Sequence, residues 1–115
     1  MVGYRGGESM VFELRTYVAP PGRMPALLGR FRDHTLKLFE KHGMRNVGYW
    51  VRQDQPDTLV YLVSHDSREA AAGNWDAFRA DPEWQRVRDA SEVSGKLVER
   101  IESVFLDSVD FSPIR

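Results

Sequence analysis

Two periodicities divide this chain, and the order in which they follow one another restricts the fold more than any other feature. Over Met10–Val18 the side chains alternate. Phe12, Leu14, Thr16 and Val18 fall on one side and Val11, Glu13, Arg15 and Tyr17 on the other, the period-two pattern of a strand. Pro20-Pro21-Gly22 breaks that pattern. From Met24 to His42 the recurrence lengthens to three and four residues. Met24, Leu27, Leu28, Phe31, Thr35, Leu38, Phe39 and His42 then share one face of a helix. Lys41 and His42 suit the negative end of its dipole, and Gly43 stands where a left-handed residue closes a helix.

Arg45–Arg52 alternates again, with Val47, Tyr49 and Val51 on one face and Asn46, Gly48, Trp50 and Arg52 on the other. After the turn at Gln53–Asp57, Leu59–Ser64 is almost continuously apolar, which marks a strand covered on both faces and therefore central. Asp66 and Glu69 form a capping-box-like start to a second helix, with Ala71, Trp75 and Phe78 as its inward stripe. Asp81 as N-cap and Pro82 at the first helical position begin a further helical piece that runs to about Ser94. Leu97–Phe111 reads as extended, most firmly over Ser103–Phe111.

The order strand, helix, strand, strand, helix, strand predicts an α+β, ferredoxin-like βαββαβ domain: a four-stranded antiparallel sheet with helices on one face. At 115 residues there is room for one domain with one core. That domain is expected over residues 10–115. Met1–Ser9, with its Gly-Gly pair and no hydrophobic run, reads as a flexible N-terminal extension and not as a secretory signal.

The sheet face away from the helices should be polar if the domain works alone. Phe12, Leu14 and Val18 are assigned to the helix side, yet Val11 and Tyr17 remain on the opposite one, and the other strands are apolar on both faces as well. A second copy packed sheet to sheet about a two-fold axis would cover such a surface. Val11, Glu13, Arg15 and Tyr17 are the expected homodimer interface. Glu13 and Arg15 lie about 6.5 Å apart along a strand, so Glu13 of one chain is expected to meet Arg15 of the other.

Composition narrows the chemistry. The chain has no cysteine, hence no disulfide, thiolate nucleophile or Cys-based zinc site, and a reducing cytoplasm is the expected location. Acids and bases nearly cancel, 17 against 16, and no basic stripe is present, so nucleic acid is not an expected partner. No apolar run approaches the roughly 20 residues that span a bilayer. No phosphate-cradling glycine loop, dinucleotide fingerprint or helical His pair appears.

Three segments, "FELRTYVAPPG" at Phe12–Gly22, "HGMRNVGYW" at His42–Trp50 and "DPEW" at Asp81–Trp84, together resemble the NIPSNAP family. The likeness runs from about Met10 through "FSP" at Phe111–Pro113. It implies the dimeric α/β-barrel superfamily, in which two ferredoxin-like sheets face each other inside a shell of helices. That superfamily includes cofactor-independent monooxygenases, haem-degrading oxygenases, chlorite dismutases, lactone isomerases and proteins of no known activity, so shared fold says little about chemistry.

In such folds a cavity lies within each protomer, between helices and sheet, lined by apolar groups with a few polar ones. Phe31, His34, Trp50, Trp75 and Phe78 are the expected ligand-lining residues, with Trp50 and Trp75 as an aromatic wall. Each also has an ordinary reading as core, or for His34 as surface. His65, at the end of the central strand, is the best candidate for proton transfer, because an unperturbed histidine titrates near neutrality. His42 is explained by helix capping, and Trp84 by stapling its helix to the body. No metal site and no cofactor are expected, since nothing in the sequence selects an iron ligand. The expected function is binding of a small hydrophobic or aromatic metabolite in each protomer. Cofactor-independent monooxygenase or related small-molecule chemistry, and a non-catalytic dimeric interaction role, are the alternatives.

Overall fold

The computed structural model describes residues 10–115. The reading of Met1–Ser9 as an extension lies outside them. The elements are β1 (Val11–Val18), α1 (Met24–Arg30), a π-helical turn (Phe31–Thr35), α2 (Leu36–Lys41), β2 (Arg45–Val51), β3 (Thr58–His65), α3 (Arg68–Ala80), α4 (Pro82–Ser91) and β4 (Arg100–Leu106). The strands form one antiparallel sheet in the order β2-β3-β1-β4, with β3 and β1 central as the apolar content of Leu59–Ser64 required.

The helical run Met24–Lys41 buries Met24, Leu27, Phe31, Thr35, Leu38 and Phe39 against the sheet, the face its spacing defined. Its middle turn is π-helical, and the Thr35 hydroxyl donates to the Arg30 carbonyl at 3.2 Å there. Gly43 follows at φ +85°, where a Cβ would come within 2.9 Å of the Asn74 amide. Asp81 caps α4 through its carboxylate, which accepts from the Glu83 backbone N–H at 2.8 Å, with Pro82 next in line. The cap of α3 lies one residue later than Asp66: Ser67 Oγ accepts from the Ala70 N–H at 3.0 Å, and Asp66 instead pairs with Arg45 at 2.9 Å. The last strand is also earlier than its sequence pattern, since Asp107–Phe111 continues beyond the ladder without pairing.

The faces of the sheet are the reverse of those expected. Tyr17, Leu59, Tyr61 and Val63 join Leu27, Phe31, Phe39, Trp75, Phe78 and Leu97 in the core. Glu13 is only 2 % exposed. Val11, Glu13, Arg15 and Tyr17 therefore lie on the helix side, and Leu14, Thr16 and Val18 on the open side. The register agrees, because Tyr61, which faces the helices, pairs with Arg15, and Leu62 with Leu14. In β2 a bulge at Val47 places Asn46 and Tyr49 toward the helices, opposite Val63 and Tyr61, and Gly48 and Trp50 away from them. The bulge explains how Asn46 donates to the Leu36 carbonyl at 3.1 Å while accepting from the Tyr49 hydroxyl at 2.6 Å.

Candidate functional site

The charged pair of β1 sits at the centre of the protomer. Glu13 Oε1 accepts from His65 Nε2 and from the Trp75 indole N–H, both at 2.8 Å. Its Oε2 accepts from Arg15 Nη1 at 2.7 Å and from the Ser103 hydroxyl at 2.6 Å. β1, β3, β4 and α3 each contribute a partner. Burial alone would push this carboxyl up. The donors from His65, Ser103, Trp75 and Arg15 overturn that and draw its pKa down to about 2. Glu13 is thus a fixed anion that organises its neighbours, and too weak a base to abstract a proton near neutrality.

Arg15 is shared among the same elements. Its Nε donates to the Tyr61 hydroxyl at 2.9 Å, its Nη2 to the Tyr17 hydroxyl at 3.3 Å, and its guanidinium lies 4.0 Å from the Trp75 ring centre. Tyr61 donates in turn to Tyr17 at 2.9 Å. Burial raises the Tyr61 phenol well above its ordinary range. The Tyr61 phenol stays protonated as a hydrogen-bonding group.

His65 is fully buried, with Nε2 on Glu13 and Nδ1 3.0 Å from the Asn74 amide. When the Asn74 nitrogen donates to the Ala70 and His42 carbonyls, at 3.3 and 2.9 Å, its oxygen turns to His65 Nδ1, and all of these partners are satisfied. Both ring nitrogens are then held in hydrogen bonds, Nε2 by Glu13 and Nδ1 by Asn74. His65 thereby ties the Glu13 cluster to α3 through Asn74.

Of the residues expected to line a ligand, three come together. Phe39 links them: its ring centre is 6.1 Å from Phe31, 5.3 Å from Trp75 and 5.1 Å from Phe78. Two do not join them. Trp50 is on the open face, 56 % exposed, folded over Gly48, so it makes no wall with Trp75. His34 is exposed on the outer surface, in a groove of about 410 Å³ between the first helical run and α4, beside Gly29, Arg86 and Ala90. The Glu13–Arg15 contact is made within one chain and not across an interface. Sequence reasoning missed Tyr61, Asn74 and Ser103, and assigned Glu13 and Arg15 to a dimer interface in preference to a site.

The cluster meets solvent along one margin. Ser103 faces the helices across from Arg15, yet it is exposed, and so is its neighbour on that face, Ile101. Phe105, opposite Glu13, is half-buried under the Arg68 guanidinium, which lies 3.7 Å from its ring centre. The β4 side of the helix-facing surface is therefore exposed next to Arg15 and Glu13. Among the described residues there is no group of three or more His, Asp or Glu that could hold a metal ion. None of the described helices is long and apolar enough to cross a membrane.

The fold and its buried cluster define an α+β protein of ferredoxin-like topology with helices over one face of its sheet. The chain belongs to the NIPSNAP family, whose model matches residues 12–113. A NIPSNAP family protein of unknown function from Agrobacterium tumefaciens is 25 % identical over 97 % of this chain and 99 % of its own, with a TM-score of 0.82. An uncharacterized NIPSNAP domain protein from Burkholderia xenovorans is 28 % identical over 90 % of this chain and 98 % of its own, with a TM-score of 0.76. A putative antibiotic biosynthesis monooxygenase from Nitrosomonas europaea shares the fold at 15 % identity and a TM-score of 0.63, over 89 % of this chain and 92 % of its own. No curated protein matches.

Proposed function

We propose that each protomer binds a small hydrophobic or aromatic molecule at the β4 margin, against Trp75, and that two protomers pair through the opposite face of the sheet to make an α/β barrel. The observation that carries the binding reading is the Arg15–Trp75 stack, a cation 4.0 Å from an indole ring, beside the exposed Ser103 of β4. Such a layer offers a flat surface and hydrogen-bond donors together, which is how small-molecule sites combine affinity with orientation.

The pairing reading rests on the other face. Leu14, Val60, Leu62, Val104, Leu106 and Trp50 share it, and the last three are 41 % to 56 % exposed. A patch of this size is unusual on a lone domain. The interface proposed from sequence keeps its logic but changes its residues, because Val11, Glu13, Arg15 and Tyr17 lie within the protomer.

Monooxygenase-type chemistry has support only from likeness of fold, which is weak ground for a reaction. Neither Glu13 nor His65 is free to serve as its base. Binding is therefore the preferred function. It is tested with Trp50→Phe/Trp84→Phe protein, in which Trp75 is the sole indole. A neutral aromatic probe, 2-naphthamide, is expected to change Trp75 emission saturably at micromolar to millimolar concentration. A response that never saturates, or one unchanged by an added Phe105→Glu substitution at the β4 margin, would count against the site.

A further inference from the structure

The geometry points to an aromatic or conjugated monoanion, a carboxylate or an enolate, as the class of ligand that this site takes. The inference rests on the binding reading above and deepens it.

Donors outnumber acceptors around Arg15. A guanidinium has five N–H groups. Three of those on Arg15 are spent, on Glu13, Tyr17 and Tyr61. Among the described residues the other two, one on each terminal nitrogen, have no acceptor. Tyr17 adds a third free donor: its oxygen accepts from Arg15 and from Tyr61, and its own proton has no partner among the described residues. No acceptor remains for them on Glu13, whose two oxygens already serve four donors.

Charge points the same way. Glu13 offsets Arg15. Arg68 at the β4 margin is a second cation, held over Phe105. Two N–H groups on a planar fork match the two oxygens of a carboxylate, or an enolate oxygen with its neighbour. A flat, unsaturated body behind that head group can stack on the planar guanidinium, which itself lies over the Trp75 ring.

The test compares 2-naphthoate with 2-naphthamide, equal in shape and differing in charge, by calorimetric titration of the full chain at pH 7. Naphthoate is expected to bind at least tenfold more tightly, and the preference is expected to narrow to less than threefold in Tyr17→Phe and in Arg15→Gln. The comparison on unaltered protein decides the matter even where Arg15→Gln does not fold. Equal affinity for the two probes would overturn the anion inference while leaving the pocket in place. Binding of neither would overturn the pocket itself.

Discussion

Glu13→Gln is expected to lower stability at pH 7 by about 3–5 kcal/mol, the scale of removing one partner from a buried ion pair. The amide keeps the shape but loses the charge, and its NH2 faces two donors where an acceptor stood. Linkage gives a similar size independently. The Glu13 pKa falls from an ordinary 4.5 to about 2 on folding, and a shift of that size corresponds to about 3 kcal/mol. The folded-state value lies below the unfolded one, so this contribution is complete above about pH 4.5. It is lost as pH falls toward 2. Urea unfolding of both proteins at pH 7 and pH 3 checks this. The parent chain should lose stability on acidification, while the variant, already weakened at pH 7, should respond less across that window. A variant within 1 kcal/mol of the parent at pH 7 would show that the cluster does little for the fold.

Phe39→Ala should be as damaging for a different reason. Phe39 is fully buried, and its ring touches Phe31, Trp75, Phe78 and, at 6.0 Å, Tyr61. It is the keystone between the first helical run, α3 and the sheet. Truncation leaves a void that these large rings cannot close by small shifts, at a cost of about 3–5 kcal/mol. For a domain of this length that lowers the melting temperature by about 10 °C or more. Phe39→Leu should recover most of the loss. Because Phe39 also braces Trp75 and Tyr61, the alanine variant should weaken naphthoate binding even at temperatures where it stays folded. A melting temperature within 3 °C of the parent would mean that the packing around it is looser than the ring distances imply.

Much of this architecture could be read from the sequence, and the part that could not has a definite physical cause. Period, turn residues and caps are local, so the order of elements, Gly43 as a helix terminator and Asp81-Pro82 as a helix start were all legible. The face of β1 was not. A hydrophobicity pattern places Glu13 and Arg15 outside, because isolated charges avoid the interior. They are inside because His65, Trp75 and Ser103 satisfy Glu13 from 52, 62 and 90 positions away, and no local window contains those partners. Trp50 was misplaced together with β1, since both were assigned relative to the same side of the sheet. His65 was singled out from its place at the end of the central strand, but its hydrogen bonds to Glu13 and Asn74 could not be read there. Its second partner, Asn74, lies on a helix whose sequence offers no reason to favour that residue.

Reversing the faces leaves the case for pairing intact, because the sheet is apolar on both sides whichever one the helices cover. The most direct measurement of the whole account is native mass spectrometry of the protein at micromolar concentration, alongside a Leu62→Arg variant. Leu62 lies on the open face, opposite Leu14, away from Glu13 and Arg15. The account predicts twice the chain mass for the parent and the single chain mass for the variant, with naphthoate retained by both, since each site is built within one protomer. A monomeric parent chain, or a variant that loses naphthoate on becoming monomeric, would contradict it.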